Sequence, residues 1–173
     1  MIPSWDDYFL SMLDLVKTRS SDSQTQVACI LTEENRQISC GYNGWPSKID
    51  NLPDVRPEKY KFMIHSEINA IVNCPYRPKN PICYVTGIPC NVCSKALWNF
   101  GVRRIVSKEL PIHCVCDDDY EVLGTLIANG LQFDVPKKVY IDKTYLEDYV
   151  DTWREMHYLK EWELVNRMKE LLK

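Results

Sequence analysis

Two short motifs carry residue types that could act together chemically. Glu67 follows His65 by two positions, and Cys90 and Cys93 form a Cys-x-x-Cys pair further along the chain. One imidazole and two thiolates supply three zinc ligands, which leaves the fourth position of a tetrahedral ion open for water, as in catalytic sites. Zinc lowers the pKa of bound water to roughly 7, so a hydroxide nucleophile would be available at neutral pH. Glu67 could carry the proton of that water, which is general acid–base chemistry.

Neither motif is specific alone, but together they restrict the chemistry. A lone Cys-x-x-Cys could be a redox pair or half of a structural zinc site. A closed zinc knuckle with one more cysteine remains an alternative, although it leaves Glu67 without a role. His-x-Glu followed by Pro-Cys-x-x-Cys, with Pro89 directly before Cys90, is the signature of zinc-dependent nucleobase deaminases. We therefore expect one catalytic zinc ion held by His65, Cys90 and Cys93.

Helices and tight turns are predicted to position the two motifs. A helix over about 62–73 would carry the His-x-Glu motif. A strand over 81–86 turns into a second helix that begins near Cys90 and is capped by Gly101. The dipole at the start of that helix would lower the thiol pKa values and so favour thiolate ligands.

The rest of the pattern predicts an α/β domain. The order is a helix, a hairpin, a turn, and then alternating strands and helices, which predicts a mixed sheet with helices on both faces. A loop as long as residues 47–59 inside a compact domain is usually functional. The other predicted elements are a helix over 5–19, strands over 26–31 and 36–42, a turn over 43–46, a strand over 102–107, a helix over 118–129 and a strand over 138–141.

The C-terminal part is predicted to be a long helix. Aromatic and Met residues recur at steps of three and four over residues 145–172. We divide the chain into a deaminase domain over 1–141 and a helical extension over 142–173. The extension would pack on the domain or at a subunit interface, because aromatic and Met side chains are enriched in interface cores.

Composition favours a small-molecule substrate in a soluble protein. The formal net charge is −3, so no basic surface for long nucleic acid is evident. No apolar run is long enough for a membrane span, and the first residues lack the pattern of a signal peptide. We therefore expect a cytoplasmic protein without a nucleic-acid or membrane partner.

The remaining cysteines raise the question of a second metal site. Four of them lie in apolar or helical contexts and are expected to be buried thiols: Cys29, Cys40, Cys74 and Cys83. The ambiguous group is His113, Cys114 and Cys116. It could join Cys74 or Cys83 in a second zinc site, although no two-plus-two ligand spacing is present.

The chain resembles the deoxycytidylate (dCMP) deaminases of the zinc-dependent cytidine deaminase superfamily over roughly residues 5–130. The zinc signature itself is shared with cytosine, guanine, riboflavin-pathway and tRNA adenosine deaminases, so the Gly-Tyr-Asn-Gly-Trp-Pro turn gives the narrower assignment. The resemblance implies a three-layer α/β/α fold with a mixed five-stranded sheet, followed here by the long C-terminal helix. The segments that carry it are 5–9, 20–27, 41–46, 65–71 and 89–95.

The resemblance also implies substrate and effector residues. Asn43 would hydrogen-bond the deoxyribose hydroxyl, since an amide both donates and accepts, although Asn43-Gly44 could simply form a turn. The set implied for substrate binding is Asn43, Ser21, Ser23 and Ser66. Family members are often activated by dCTP and inhibited by dTTP, and the residues implied for that effector site are Tyr42, Gly44 and Pro46. Family members suggest a homo-oligomer, either a dimer or a hexamer.

The phosphate end of the substrate is where this chain departs from the family. Many members have a lysine where this chain has Ser21 and a proline where it has Ser23. The serine hydroxyls at 20, 21 and 23 could still donate hydrogen bonds. A cation from the long loop could replace the missing charge: Arg56, Lys59 or Lys61.

The predicted reaction is hydrolytic deamination of dCMP to dUMP and ammonia, which feeds thymidylate synthesis. A zinc-bound hydroxide would attack C4 of cytosine while Glu67 protonates N3 and then the leaving amine. The same chemistry on dCTP, a modified cytosine nucleotide, cytidine or guanine is an alternative. A catalytically silent nucleotide-binding regulator is another, and editing of polynucleotides is disfavoured by the acidic charge.

Overall fold

The structure is a computed structural model that describes residues 2–49, 52–109 and 116–135. Four α-helices and five β-strands make up its regular structure, with one short 3₁₀ helix at Glu58–Lys61. In chain order they are α1 (Trp5–Lys17), β1 (Ala28–Glu33), β2 (Arg36–Tyr42), α2 (Ser66–Val72), β3 (Ile82–Val85), α3 (Asn91–Phe100), β4 (Arg104–Ser107), α4 (Asp117–Ala128) and β5 (Gln132–Asp134).

The strands form one mixed sheet in the order β2-β1-β3-β4-β5. The pairs β1–β2 and β1–β3 are antiparallel, whereas β3–β4 and β4–β5 are parallel. Glu34 and Asn35 have positive φ values in the turn between β1 and β2, which agrees with the predicted hairpin. Parallel pairs need a crossover connection, and α3 and α4 are the helices that connect β3 to β4 and β4 to β5.

Apolar side chains cover both faces of the sheet, which makes the fold three-layered. Alternate residues of β1 point to opposite faces. On one face Ala28 and Ile30 pack with the buried side of α1, and on the other Cys29 and Leu31 join a larger core with α2, α3 and α4. The predicted mixed five-stranded sheet between helical layers is confirmed.

The clearest differences from the prediction are the start of α2 and the presence of β5 in a segment with no predicted strand, each for a local reason. The helix predicted from residue 62 begins only at Ser66, because Ile64 pairs with Gly44 in an isolated bridge and its backbone is therefore unavailable to a helix. The fifth strand lies at Gln132–Asp134, directly after Gly130, which has a φ of 100° at the end of α4. Parallel pairing with β4 selects this short segment, which carries little β signal of its own.

Several predictions concern parts of the chain outside the described residues. They are the strand over 138–141, the domain boundary at 141/142 and the helix over 145–172. Within the part of the chain that the structure describes, none of the helices combines the length and the apolar character that crossing a membrane requires.

Candidate metal centre and its surroundings

The metal centre forms where two helices begin. His65 is the N-cap residue of α2 and Cys90 is the N-cap residue of α3, and both have extended backbone conformations. Cys93 lies in the first turn of α3. Side chains at these positions lie beside the free N–H groups of the helix starts, where negative charge is stabilised. The topology therefore brings together two motifs that are 25 residues apart in the chain.

The geometry of the three side chains fits one zinc ion. His65 Nδ1 lies 3.5 Å from Cys90 Sγ and 3.4 Å from Cys93 Sγ. A tetrahedral ion with Zn–S of about 2.3 Å and Zn–N of about 2.0 Å holds its sulfur and nitrogen ligands roughly 3.5 Å apart. All three ligand atoms lie within 4.8 Å of one another, and among the described residues no other group of three or more candidate ligands lies so close. The donor set is therefore that of one catalytic zinc site.

One of the three groups is already in its metal-binding form. Hydrogen bonding from Cys93 and from His65 lowers the pKa of Cys90 to about 4, which favours the thiolate at neutral pH. Hydrogen bonding to Cys90, followed by burial, raises the pKa of Cys93 and so favours its protonated thiol. The hydrogen bond with the Cys90 thiolate also raises the pKa of His65. Metal binding would release these protons, since zinc ligands bind in their deprotonated forms.

Glu67 lies beside the metal ligands without joining them. Its side chain is only 6% exposed, and burial raises the pKa of its carboxyl group. The charges of His65 and Cys90 also act on the pKa of Glu67, which places its carboxyl group close to the ligand group. A buried carboxyl group with a raised pKa near a metal centre is suited to accepting and returning a proton near neutral pH.

Ser66 faces the protein interior. It has no exposed surface, and its hydroxyl donates a 2.9 Å hydrogen bond to Glu67 Oε2. The structure therefore places Ser66 in the interior against the carboxyl group of Glu67, which it can orient.

Asn43 holds the polar loop before β1. Its Oδ1 accepts hydrogen bonds from Ser20 Oγ at 2.7 Å and from the Val27 N–H at 3.0 Å. Its Nδ2 donates to the Thr25 carbonyl at 2.8 Å and, at 3.5 Å, to Asp22 Oδ2. The amide is 5% exposed and all its hydrogen-bonding capacity is in use. A sugar hydroxyl would have to replace one of these partners, and the long contact with Asp22 is the weakest.

Ser21 and Ser23 are exposed and tie the same loop to its neighbours. Ser21 Oγ accepts from the Trp45 N–H at 3.1 Å, and the Ser23 N–H donates to Asp54 Oδ2 at 3.1 Å. Ser21 thus contacts the turn over 43–46 through its hydroxyl group, and Ser23 contacts the long loop through its backbone.

The three cations proposed for the phosphate end have different surroundings. Lys59 is completely buried, and its Nζ lies 2.6 Å from Asp22 Oδ1. Its charge is therefore paired with a carboxylate inside the protein. Arg56 is exposed and donates to Thr25 Oγ1 at 2.6 Å, beside the serine loop. Lys61 is also exposed. Arg56 is therefore the best placed of the three to meet an anionic substrate.

The turn implied for effectors is linked directly to the metal centre. The Gly44 N–H donates to the Ile64 carbonyl at 3.1 Å, and the Ile64 N–H donates back at 2.8 Å. Ile64 immediately precedes the ligand His65. Tyr42 and Pro46 are half-buried on either side of this bridge. A molecule that moved the turn would therefore move the residue next to a metal ligand.

Gly41 is a positioning residue that the sequence analysis did not identify. A Cβ at this position would lie 2.2 Å from the Ser66 carbonyl oxygen and 2.3 Å from the Ala70 nitrogen. The close approach of β2 to α2 therefore requires glycine. A glycine inside a strand pattern is the available signal for such an approach.

The remaining cysteines do not gather into a second cluster within the described residues. Cys83 lies in the core with its Sγ 3.5 Å from that of Cys29, and both are buried as predicted. Cys40 and Cys74 are half-buried, because β2 is an edge strand and Cys74 follows the end of α2. Cys116 is exposed at the start of α4, whereas positions 113 and 114 lie outside the described residues.

A family model adds an independent comparison. The model described as the cytidine and deoxycytidylate deaminase zinc-binding region matches residues 3–109, which is more than half of the chain and includes the whole ligand group. The chain belongs to this deaminase family. The predicted family resemblance is confirmed.

Individual members of the family match over most of their length. The human deoxycytidylate deaminase is 34% identical over 154 residues, which are 80% of this chain and 85% of the human protein. The Pongo abelii deoxycytidylate deaminase is 36% identical over the same shares. The crystal structure of the dCMP deaminase from cyanophage S-TIM5, in complex with dCMP and dUMP, superposes with a TM-score of 0.65. The superposition covers 79% of this chain and 99% of the cyanophage chain, and the sequence identity is 21%. This similarity supports the deaminase fold.

Proposed function

We propose that this protein hydrolyses dCMP to dUMP and ammonia. The observation that carries the proposal is the three-ligand zinc geometry with the buried carboxylate of Glu67 beside it. Three protein ligands leave one position for the reacting water, as in catalytic rather than structural zinc sites. The choice of dCMP is supported by relatives that are named deoxycytidylate deaminases and match over 80% of the chain.

Different residues would bind the metal, transfer protons and position the substrate. His65, Cys90 and Cys93 would hold the ion, which when bound supplies an activated water at neutral pH. Glu67 would accept a proton from that water and pass it to N3 of the base. It would then take the proton of the hydroxyl group added at C4 and pass it to the amine, which leaves as ammonia while the C4 carbonyl forms. Ser66 would keep the carboxylate of Glu67 turned towards the reacting atoms through its hydrogen bond. Asn43 would hold the loop that receives the sugar.

The phosphate end of the site would use Arg56 and the exposed serines. Ser21 and Ser23 lie on a loop that Arg56 contacts through Thr25. One guanidinium group on such a loop can pair with a phosphate in a bidentate manner. This arrangement would replace the lysine that the family often has at position 21.

Regulation and assembly are part of the same proposal. Tyr42, Gly44 and Pro46 would respond to dCTP or dTTP, and their bridge to Ile64 gives such an effector a path to His65. We also propose that the chain forms a homo-oligomer, a dimer or a hexamer, in the cytoplasm.

A substrate panel tests the proposal. The zinc-loaded protein is given dCMP, dCTP, a 5-substituted dCMP, cytidine and guanine, and ammonia release is measured with product identification. The expected result is the highest kcat/KM for dCMP, with dUMP as product. Faster turnover of another compound would assign the same chemistry to that substrate. Release of no ammonia from any compound by a fully zinc-loaded protein would instead favour the silent regulator.

A further inference from the structure

Asp119 connects the metal-binding helix to a helix beyond the family motif. It lies in the first turn of α4 and is 4% exposed. Its Oδ1 accepts hydrogen bonds from the Asn91 N–H at 2.5 Å and from Asn91 Nδ2 at 2.9 Å. Its Oδ2 accepts from the Cys116 N–H at 3.1 Å. One buried carboxylate thus receives backbone donors from the starts of two helices.

The position suits a permanent negative charge. The first N–H groups of a helix have no partner within the helix, and a carboxylate there is stabilised by the helix dipole. Burial of Asp119 opposes its ionisation, but the hydrogen bonds from Asn91 and Cys116 outweigh it and keep the pKa of Asp119 below its usual value. The carboxylate is therefore a fixed anchor rather than a solvated surface group.

Asp119 holds the first peptide of the Cys-x-x-Cys motif, directly after Cys90. The Asn91 N–H belongs to the peptide plane between Cys90 and Asn91. Holding that plane fixes ψ of Cys90, which is 168°, and so fixes where α3 starts relative to the Cys90 side chain. Cys93 follows in the first turn of the same helix. The relative placement of the two sulfur ligands therefore depends on a contact from α4.

We propose that Asp119 is a positioning residue for the metal centre, which holds the Asn91 peptide so that Cys90 and Cys93 are preorganised for zinc. Asp119 lies outside residues 3–109, so the contribution comes from beyond the segment that the family model matches. Groups that orient zinc ligands typically change metal affinity by about 10–100-fold when removed. The proposal rests on the zinc site and not on the identity of the nucleotide.

Four single variants of the full chain separate this role from general stability. Asp119→Ala removes both carboxylate acceptors, and Asp118→Ala is the matched control because Asp118 is the exposed neighbour in the same turn. Asn91→Ala removes the side-chain donor and keeps the backbone N–H. Asn91→Pro removes both donors, and proline is tolerated at the first helical position after an extended residue such as Cys90.

The measurement is the zinc dissociation constant by chelator competition, with the thermal stability of the zinc-free protein measured in parallel. We expect Asp119→Ala and Asn91→Pro each to raise the dissociation constant about 10–100-fold, Asn91→Ala to raise it less, and Asp118→Ala to leave it unchanged. The double variant Asn91→Pro/Asp119→Ala should bind zinc no more weakly than the weaker single variant.

An unchanged dissociation constant in the folded Asp119→Ala protein would overturn the proposal, even if its melting temperature fell. Additive effects in the double variant would overturn it as well, because the two changes would then act through separate contacts. Neither result depends on turnover of dCMP. The zinc measurements therefore test the role of Asp119 independently of whether dCMP is the substrate.

Discussion

Lys59 Nζ lies 2.6 Å from Asp22 Oδ1, and both side chains are almost completely removed from solvent. Asp22 Oδ1 also accepts from the N–H groups of Gln24 and Thr25, each at 2.8 Å. Lys59 comes from the 3₁₀ helix after the long loop, whereas Asp22 lies in the polar loop before β1. The pair therefore links the 3₁₀ helix to the polar loop before β1, which Asn43 also contacts.

Lys59→Met should strongly destabilise the protein. Removing one partner of a buried ion pair leaves the other charge buried without compensation, which costs about 3–5 kcal/mol. Urea unfolding at pH 7 measures the change, and Lys61→Met is the control because Lys61 is exposed nearby. A loss in Lys59→Met no larger than in Lys61→Met would show that the ion pair does not hold the loops.

The same pair predicts an acid dependence of stability. Burial opposes ionisation of Asp22 most strongly, but hydrogen bonds from Lys59, Thr25 and Gln24 outweigh it, so the pKa of Asp22 is lowered in the folded state. A lowered pKa stabilises the fold above the unfolded-state pKa of about 3.9, and this stabilisation is lost as the pH falls through the folded-state pKa.

Comparison of the wild type with Asp22→Asn isolates this contribution. The difference in free energy of unfolding should be largest near neutral pH and should shrink below about pH 4. A difference that stays constant from pH 7 down to the acid transition would contradict the assignment of the charge to Asp22.

Gly41→Ala should displace α2 from the sheet. The new Cβ would meet backbone atoms of Ser66 and Ala70 at 2.2–2.3 Å, and backbone cannot move aside without shifting the helix. We expect weaker zinc binding together with lower stability. The control is Gly124→Ala in α4, where a Cβ meets nothing within 4 Å and should stabilise the helix by about 0.5–1 kcal/mol. Unchanged zinc affinity in Gly41→Ala would mean that α2 tolerates the shift.

The sequence allowed the ligands, Glu67 and the layered sheet to be predicted, because each depends on local pattern or on motif chemistry. His65, Cys90 and Cys93 are specified by residue type and spacing, and the hairpin by its turn. The structure added contacts between segments distant in the chain. The contact of Asp119 with Asn91 depends on how close two elements approach, which no local pattern encodes. The approach of Gly41 to α2 has one local signal, a glycine inside a strand.

Asn43 and Lys59 show a different limit of sequence reasoning. From the sequence, both are candidates for contacts with the nucleotide, because an amide suits a sugar hydroxyl and an ammonium suits a phosphate. In the structure their hydrogen bonds go to protein partners in the loop before β1. The type of a polar residue indicates which hydrogen-bond partners are possible, but the topology decides which of them lie within hydrogen-bonding distance. The fifth strand at Gln132–Asp134 is a similar case, since pairing with β4 defines it.

Cys90→Ala should lose zinc and activity together. It removes one of three ligands and the group that is already ionised at neutral pH, with a pKa of about 4. Zinc content by atomic emission and ammonia release from dCMP are measured on the same sample. Cys74→Ala is the control, since Cys74 is half-buried away from the ligand group and should retain one zinc per chain. Full zinc content in Cys90→Ala would remove Cys90 from the ligand set.

Ammonia release from dCMP by Glu67→Gln tests whether Glu67 carries the proton in zinc-dependent deamination. Zinc content is determined on the same preparation. Glutamine keeps the size of the side chain but cannot carry the proton, so turnover should fall by about 10²–10⁴-fold. Zinc should remain near one per chain, because Glu67 is not a member of the ligand group among the described residues. Turnover within a few-fold of the wild type at full zinc content would contradict this role of Glu67.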